Sequence, residues 1–167
     1  PSGEISLCTL AAINWGLIKD PDGFEKPAEL LVRALDELLD YQDYPVIAAE
    51  RSTMNRRPLG IGIINFAYWM AKNNMTYSDP NLQMIDDWAE AWSYYLIKAS
   101  NKLAQEKGPC KLNYQTKYSK GICPVHTYKK EVDELVKHDP LVDWDSLSND
   151  LKEYGIRNST LMALMTS

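Results

Sequence analysis

Glu4-Ile5-Ser6-Leu7-Cys8-Thr9-Leu10-Ala11-Ala12-Ile13 opens the chain with apolar and β-branched residues, the make-up of a strand built for a protein core. Ser159-Thr160-Leu161-Met162-Ala163-Leu164-Met165 has the same character close to the other end. Domain termini normally lie in exposed, polar segments. Two core-like strands flush with the termini, without an initiator Met, give the expectation of a piece of a larger domain whose active site is completed by residues outside the chain.

Between these strands the pattern is helical. Asp20-Pro21-Asp22-Gly23 is a turn, and a helix is predicted from near Glu25 to before Pro45, with Leu31, Ala34, Leu35, Leu38 and Leu39 at helical spacing. Arg56-Arg57-Pro58-Leu59-Gly60-Ile61-Gly62 reads as an extended approach to a tight turn, followed by a buried helix through Asn65, Phe66, Tyr68, Trp69 and Met70 to Lys72. The longest helix is predicted from Asp79-Pro80 to Gly108-Pro109, with Ile85, Trp88, Ala89, Trp92, Tyr95, Leu96, Ala99 and Leu103 on one apolar face. A looped region from Cys110 to about Thr127 precedes shorter helices at Tyr128 to Lys137 and Asp143 to Tyr154, the last ended by Gly155. With no internal repeat or linker, residues 1–167 read as one structural unit.

The chain has 167 residues, 45% hydrophobic and 25% charged, as in an ordinary folded domain. A net charge of -5 argues against a general nucleic-acid surface and leaves single phosphates open. The apolar run from Leu59 to Ala71 is too short to cross a bilayer, so no membrane partner is expected. Three cysteines, Cys8, Cys110 and Cys123, are too few and too scattered for a disulfide scaffold, which makes the cytoplasm the expected compartment.

Several chemical motifs fall short. Gly60-Ile61-Gly62 invites a dinucleotide, but Asn65 stands where the fingerprint needs a third glycine, so close helix packing is the expected role. Cys110, Cys123 and His126 lack the paired spacings and fourth ligand of a zinc site, and no metal is expected. His138 reads as solvated. Asp36, Glu37 and Asp40, then Asp86, Asp87 and Glu90, lie opposite the apolar stripes and read as solvated helix surface. No Glu-x-x-His pair supports a di-metal bundle. The sequon Asn158-Ser159-Thr160 falls in a core strand and is set aside. Cys8, within an apolar strand, reads from its neighbours as buried packing. These readings alone stop at a helix-rich α/β fragment of unknown activity.

Longer blocks say more. Gly3-Glu4-Ile5-Ser6-Leu7-Cys8-Thr9-Leu10-Ala11-Ala12-Ile13-Asn14, Arg33-Ala34-Leu35-Asp36, Leu39-Asp40-Tyr41-Gln42-Asp43-Tyr44-Pro45 and Arg56-Arg57-Pro58-Leu59-Gly60-Ile61-Gly62-Ile63-Ile64-Asn65-Phe66-Ala67-Tyr68 come first. Tyr94-Tyr95-Leu96-Ile97-Lys98-Ala99-Ser100-Asn101, Thr127-Tyr128-Lys129-Lys130 and Gly155-Ile156-Arg157-Asn158-Ser159-Thr160-Leu161 follow. In this order they resemble the catalytic large subunit of class I ribonucleotide reductase over essentially the whole chain, with wording closest to phage and bacterial members.

The resemblance implies a helix-rich α/β fragment of the family's ten-stranded α/β barrel, without the N-terminal allosteric domain or the C-terminal part. It implies ribonucleoside diphosphate reduction: a cysteine thiyl radical abstracts the 3′-hydrogen, the 2′-hydroxyl leaves as water, and two further thiols supply electrons while closing to a disulfide. Cys8 matches one of those thiols, which reverses its reading as packing. The partner thiol, the radical cysteine and the Asn and Glu that handle protons match positions before residue 1. Leu10 matches a residue packed on the substrate ribose. Met165 and Ser167 match the strand leading to the phosphate-holding loop, although Thr166 stands where the family usually has Pro.

No cofactor is implied for this segment itself, since the family's radical comes from a metal-containing small subunit. The other implied partners are the remaining large-subunit segments, thioredoxin or glutaredoxin, and the ribonucleoside diphosphate substrate. The isolated chain is expected to be inactive. The alternative from another class is a non-catalytic helical interaction or assembly module derived from the enzyme core.

Overall fold

The computed structural model describes residues 3–137 and 139–163. Two parallel strands, β1 (Thr9–Asn14) and β2 (Leu59–Ile64), pair in register from Thr9 with Leu59 to Asn14 with Ile64. The segment entering from Ser159 runs along the other edge of β2. The Leu59 N–H donates to the Thr160 carbonyl at 2.8 Å, the Ile61 N–H to the Leu161 carbonyl at 2.8 Å, and the Ala163 N–H to the Ile61 carbonyl at 3.2 Å. The anticipated final strand is thus a short parallel bridge centred on Ile61 and Met162, and Leu164 and Met165 lie outside the described residues. This is a helix-rich α/β unit on a small parallel sheet, with no closed barrel among the described residues.

The first strand is shorter than its composition suggests. It starts at Thr9, while Ile5 and Leu7 are exposed. The Ile5 N–H donates to the carbonyl of Ala48, in α2 (Ile47–Arg56), at 3.2 Å. Apolar residues form a strand only where a ladder partner exists.

Helix α1 (Glu25–Tyr41) follows a turn in which the Asp20 carboxylate accepts from the Gly23 N–H at 2.9 Å. Its inner stripe is Ala28, Val32, Leu35 and Leu39, so Ala34 and Leu38 face outward, contrary to the sequence reading. Asp36 lies on the buried side. Helix α2 has no counterpart in that reading, because its low apolar content hides its helical period. It ends where Arg57 takes a left-handed conformation (φ 47°) ahead of Pro58, which cannot continue a helix.

Beyond β2, Asn65 is also left-handed (φ 62°) and leads into α3 (Phe66–Lys72). Helix α4 (Leu82–Lys107) spans 26 residues, begins with the Asn81 side chain accepting from the Met84 N–H, and ends at Gly108 with φ 83°. It packs against both α1 and α5 (Trp144–Tyr154), which is why its buried surface includes Tyr94, Ile97 and Asn101 beyond the predicted face. Residues 128–137 form a short 3₁₀ turn (Lys130–Glu134) in place of the predicted helix.

Trp15, Phe24, Trp69 and Trp88 meet edge-on or tilted, with centroids 4.8–5.8 Å apart, and fill the core beneath the sheet. No helix among the described residues is long and apolar enough to cross a membrane.

Candidate active site

Strand side chains alternate between faces, and the two faces of this sheet differ sharply. Ile13, Leu59 and Ile61 point into the helical core, each at most 3% exposed. Leu10 points the other way and is 57% exposed, as does Ile64, 46% exposed, at the far end of β2 where it pairs with Asn14. Cys8, one residue before β1, shares this second face and is exposed. Parallel sheets are normally covered on both faces. A bare apolar face carrying a free thiol is therefore chemically unusual.

The glycines take their place here. Gly60 pairs with Leu10 and Gly62 with Ala12 inside β2, so they do not form the turn that the sequence suggested. Neither glycine has positive φ. Gly60 instead serves close approach: a Cβ there would lie 2.6 Å from Leu10 Cδ2, 3.3 Å from Ala163 Cβ and 3.4 Å from Cys8 Sγ. Two segments, residues 8–10 and the one holding Ala163, thus converge over one bare backbone position. A dinucleotide cradle is ruled out, because its glycines must sit in the strand-to-helix turn.

A buried polar cluster holds the same end of the sheet. Asp36, fully buried, accepts at Oδ1 from Arg57 Nε (2.6 Å) and Asn158 Nδ2 (2.9 Å), and at Oδ2 from Arg157 Nε (3.1 Å). Arg57 also donates to both Asp40 oxygens, at 2.9 and 2.6 Å. Asn158 Nδ2 donates to the Arg57 carbonyl, and the Ser100 hydroxyl donates to Asn158 Oδ1 at 2.9 Å. Burial works against the Arg57 charge, yet Asp40 and Asp36 outweigh it and hold its pKa above the usual guanidinium value. The same hydrogen bonds from Arg57 hold Asp40 below the usual carboxylate range.

Asp36 was read from sequence as solvated surface. It instead ties α1 to the residues preceding β2 and the 159–163 segment. Glu90 also departs from that reading: it is buried, accepting from Trp144 Nε1 at 2.7 Å and from the Leu141 N–H at 3.2 Å. A carboxylate between apolar helix positions reads as surface until its donors are known, and these donors, Arg57, Arg157 and Asn158 for Asp36 and Trp144 and Leu141 for Glu90, are distant in sequence.

The other two thiols are placed differently. Cys110 and Cys123 are buried, and burial raises both pKa values, that of Cys123 to about 11. His126 Nδ1 accepts from the Cys123 N–H at 3.0 Å, closing a local turn. No group of potential metal ligands gathers among the described residues. A cavity of about 490 Å³ lies by Arg56, Lys117, Tyr118, Cys123 and Ser159 and is not lined by Cys8 or Leu10. The thiol lining it, Cys123, is buried and held protonated by that burial, whereas the exposed thiol, Cys8, stands on the open face.

Of the candidate site residues, Cys8 and Leu10 are brought together, while Met165 and Ser167, like His138, lie outside the described residues. Gly60 was missed as part of the site. Its signal was available in the alternation of glycines with Leu59, Ile61 and Ile63, the period of a strand with one bare face.

The ribonucleotide reductase barrel-domain model matches residues 1–167. The chain is 53% identical to the ribonucleoside-diphosphate reductase alpha subunit of Haemophilus influenzae over 99% of its length and 22% of the relative's. It is 52% identical to that of Buchnera aphidicola from Acyrthosiphon pisum and 46% identical to that of Enterobacteria phage T4, each over 99% of this chain and 22% of the relative. The chain thus spans about a fifth of the length of these curated relatives. With the family model covering every residue, the chain belongs to the ribonucleotide reductase barrel-domain family.

Proposed function

We propose that this chain is the part of a ribonucleoside-diphosphate reductase large subunit that presents Cys8 as one of two reducing thiols on the wall of the substrate site. The carrying observation is the placement of Cys8: it is the exposed thiol of the three, on the bare face of the parallel sheet beside Leu10 and Gly60. A buried thiol could neither meet a nucleotide nor be regenerated by an outside reductant.

In this reading the remaining large-subunit segments contribute the second thiol, the radical cysteine and the other strands of a ten-stranded barrel. The bare face is then the interior wall. Reduction breaks the ribose C2′–O bond and forms C2′–H. The oxygen leaves as water, while Cys8 and its partner each lose a thiol hydrogen and join as a disulfide, the two-electron balance the reaction needs. Thioredoxin or glutaredoxin restores the dithiol, and a separate metal-containing small subunit supplies the radical. Leu10 packs against the ribose, and Met165 and Ser167 lead to the phosphate contacts.

The test is product formed per enzyme in the complete reductase complex, with a thiol count before and after one turnover. Cys8→Ala and Cys8→Ser should bind substrate yet form no normal deoxynucleotide, while Cys110→Ala and Cys123→Ala retain turnover. Wild-type-like turnover by Cys8→Ala would remove the catalytic role and favour a non-catalytic assembly module.

A further inference from the structure

We infer that Gly60 is a positioning residue of this site: the missing side chain on β2 sets where the Cys8 thiol and the Leu10 side chain stand, and so controls substrate fit and thiol presentation. The inference rests on the proposed role of Cys8 and deepens it. Cys8 lies outside the β1–β2 ladder, whose first pair is Thr9 with Leu59. The ladder therefore does not fix its side chain directly. What lies beneath the thiol is the bare Gly60 backbone, near enough for an added Cβ to stand 3.4 Å from Sγ.

The same added atom would come within 2.6 Å of Leu10 Cδ2 and 3.3 Å of Ala163 Cβ. These neighbours differ in how they can yield. Leu10 Cδ2 is the end of a flexible side chain that is 57% exposed, so it can swing toward the open face at small cost. Ala163 has only a Cβ to offer, and its N–H is bonded to the Ile61 carbonyl. A methyl group at Gly60 therefore pushes Leu10 aside and presses Ala163 by a few tenths of an ångström, while Cys8 Sγ stays at ordinary van der Waals distance and is disturbed through the displaced Leu10, two residues along the same face.

This predicts a functional effect separate from stability. A misplacement of about 1 Å at a reacting group can cost up to about a hundredfold in rate. In the full-length reductase complex, Gly60→Ala should lower kcat/KM by roughly tenfold to a hundredfold while urea unfolding stays close to wild type. The rate at which iodoacetamide alkylates Cys8 should also change by severalfold. The double variant Gly60→Ala/Leu10→Ala removes the nearest clash and should bring the alkylation rate back toward the wild-type value, a readout that does not depend on turnover.

Unchanged alkylation and unchanged kcat/KM in Gly60→Ala, with Cys8→Ala inactive, would overturn the positioning role alone. Active Cys8→Ala would overturn the reading of the site on which it rests. A Gly60→Ala protein that unfolds at markedly lower urea, with equal loss in the double variant, would make Gly60 a packing position and also overturn the inference.

Discussion

The two faces of the small parallel sheet are built from alternate residues of the same strands, yet one is packed against helices and the other is open and carries a free thiol. Ile13 is 3% exposed and Leu10, three residues earlier, is 57% exposed. The covered face carries bulky aliphatic side chains against a tryptophan-rich core and is clamped at one end by the Asp36 cluster. Around Cys8 the open face carries Gly60, Gly62, Ala12 and Leu10, with the bulkier Ile64 and Asn14 only at its far end. Small residues leave room above a sheet, and bulky ones consume it. Local hydrophobicity does not separate the two, since both faces are apolar; side-chain size and exposure distinguish the open face from the packed one.

Substitutions on the two faces can break this contrast. The largest stability loss is expected for Asp36→Ala, which leaves the buried Arg57 guanidinium with the main-chain carbonyl of residue 36 and, among the described residues, the partly exposed Asp40 as its one carboxylate. Removing one partner of a buried ion pair costs about 3–5 kcal/mol, and urea unfolding should show it. A loss under about 1 kcal/mol would mean that water or Asp40 satisfies Arg57 and that the clamp is not structural.

Next comes Ile61→Ala on the covered face, where a fully buried side chain is truncated. Its cost should be about 2–5 kcal/mol, with Cys8 alkylation in the folded protein unchanged. Altered alkylation without loss of stability would mean the faces are coupled through β2. Smallest is Leu10→Ala on the open face, expected within about 0.5 kcal/mol of wild type in unfolding but with a raised KM for nucleotide in the complete complex. A multi-kcal/mol destabilisation would place Leu10 in a core and erase the distinction between the faces.

Helical periodicity located α1, α4 and α5 to within a few residues, because amphipathic spacing and terminal signals such as Asp143 and Gly108 are local, although α4 is capped by Asn81 and not started by Asp79-Pro80. The stripe on α1 was misjudged by a fraction of a turn, since Ala34 and Leu38 are apolar yet exposed. Helix α2 escaped because it is stabilised by neighbours more than by its own pattern. The glycine alternation in β2 was legible as a strand but was read as a turn, the more familiar use of paired glycines.

For the site, residue order alone determined the family resemblance and drew attention to Cys8 and Leu10, since motif blocks are contiguous in the chain. Tertiary structure alone decided which cysteine is open to solvent, because exposure depends on what packs above a residue and not on its sequence neighbours. It also decided that Asp36 is a buried anchor, joined to Arg57, Arg157 and Asn158 from distant segments. Likewise, the closeness of Gly60 to Cys8, Leu10 and Ala163 exists only once two parallel strands and the 159–163 segment lie side by side. Hydrogen-bonded pairing across gaps of some fifty and a hundred residues creates that proximity, and local composition carries no record of it.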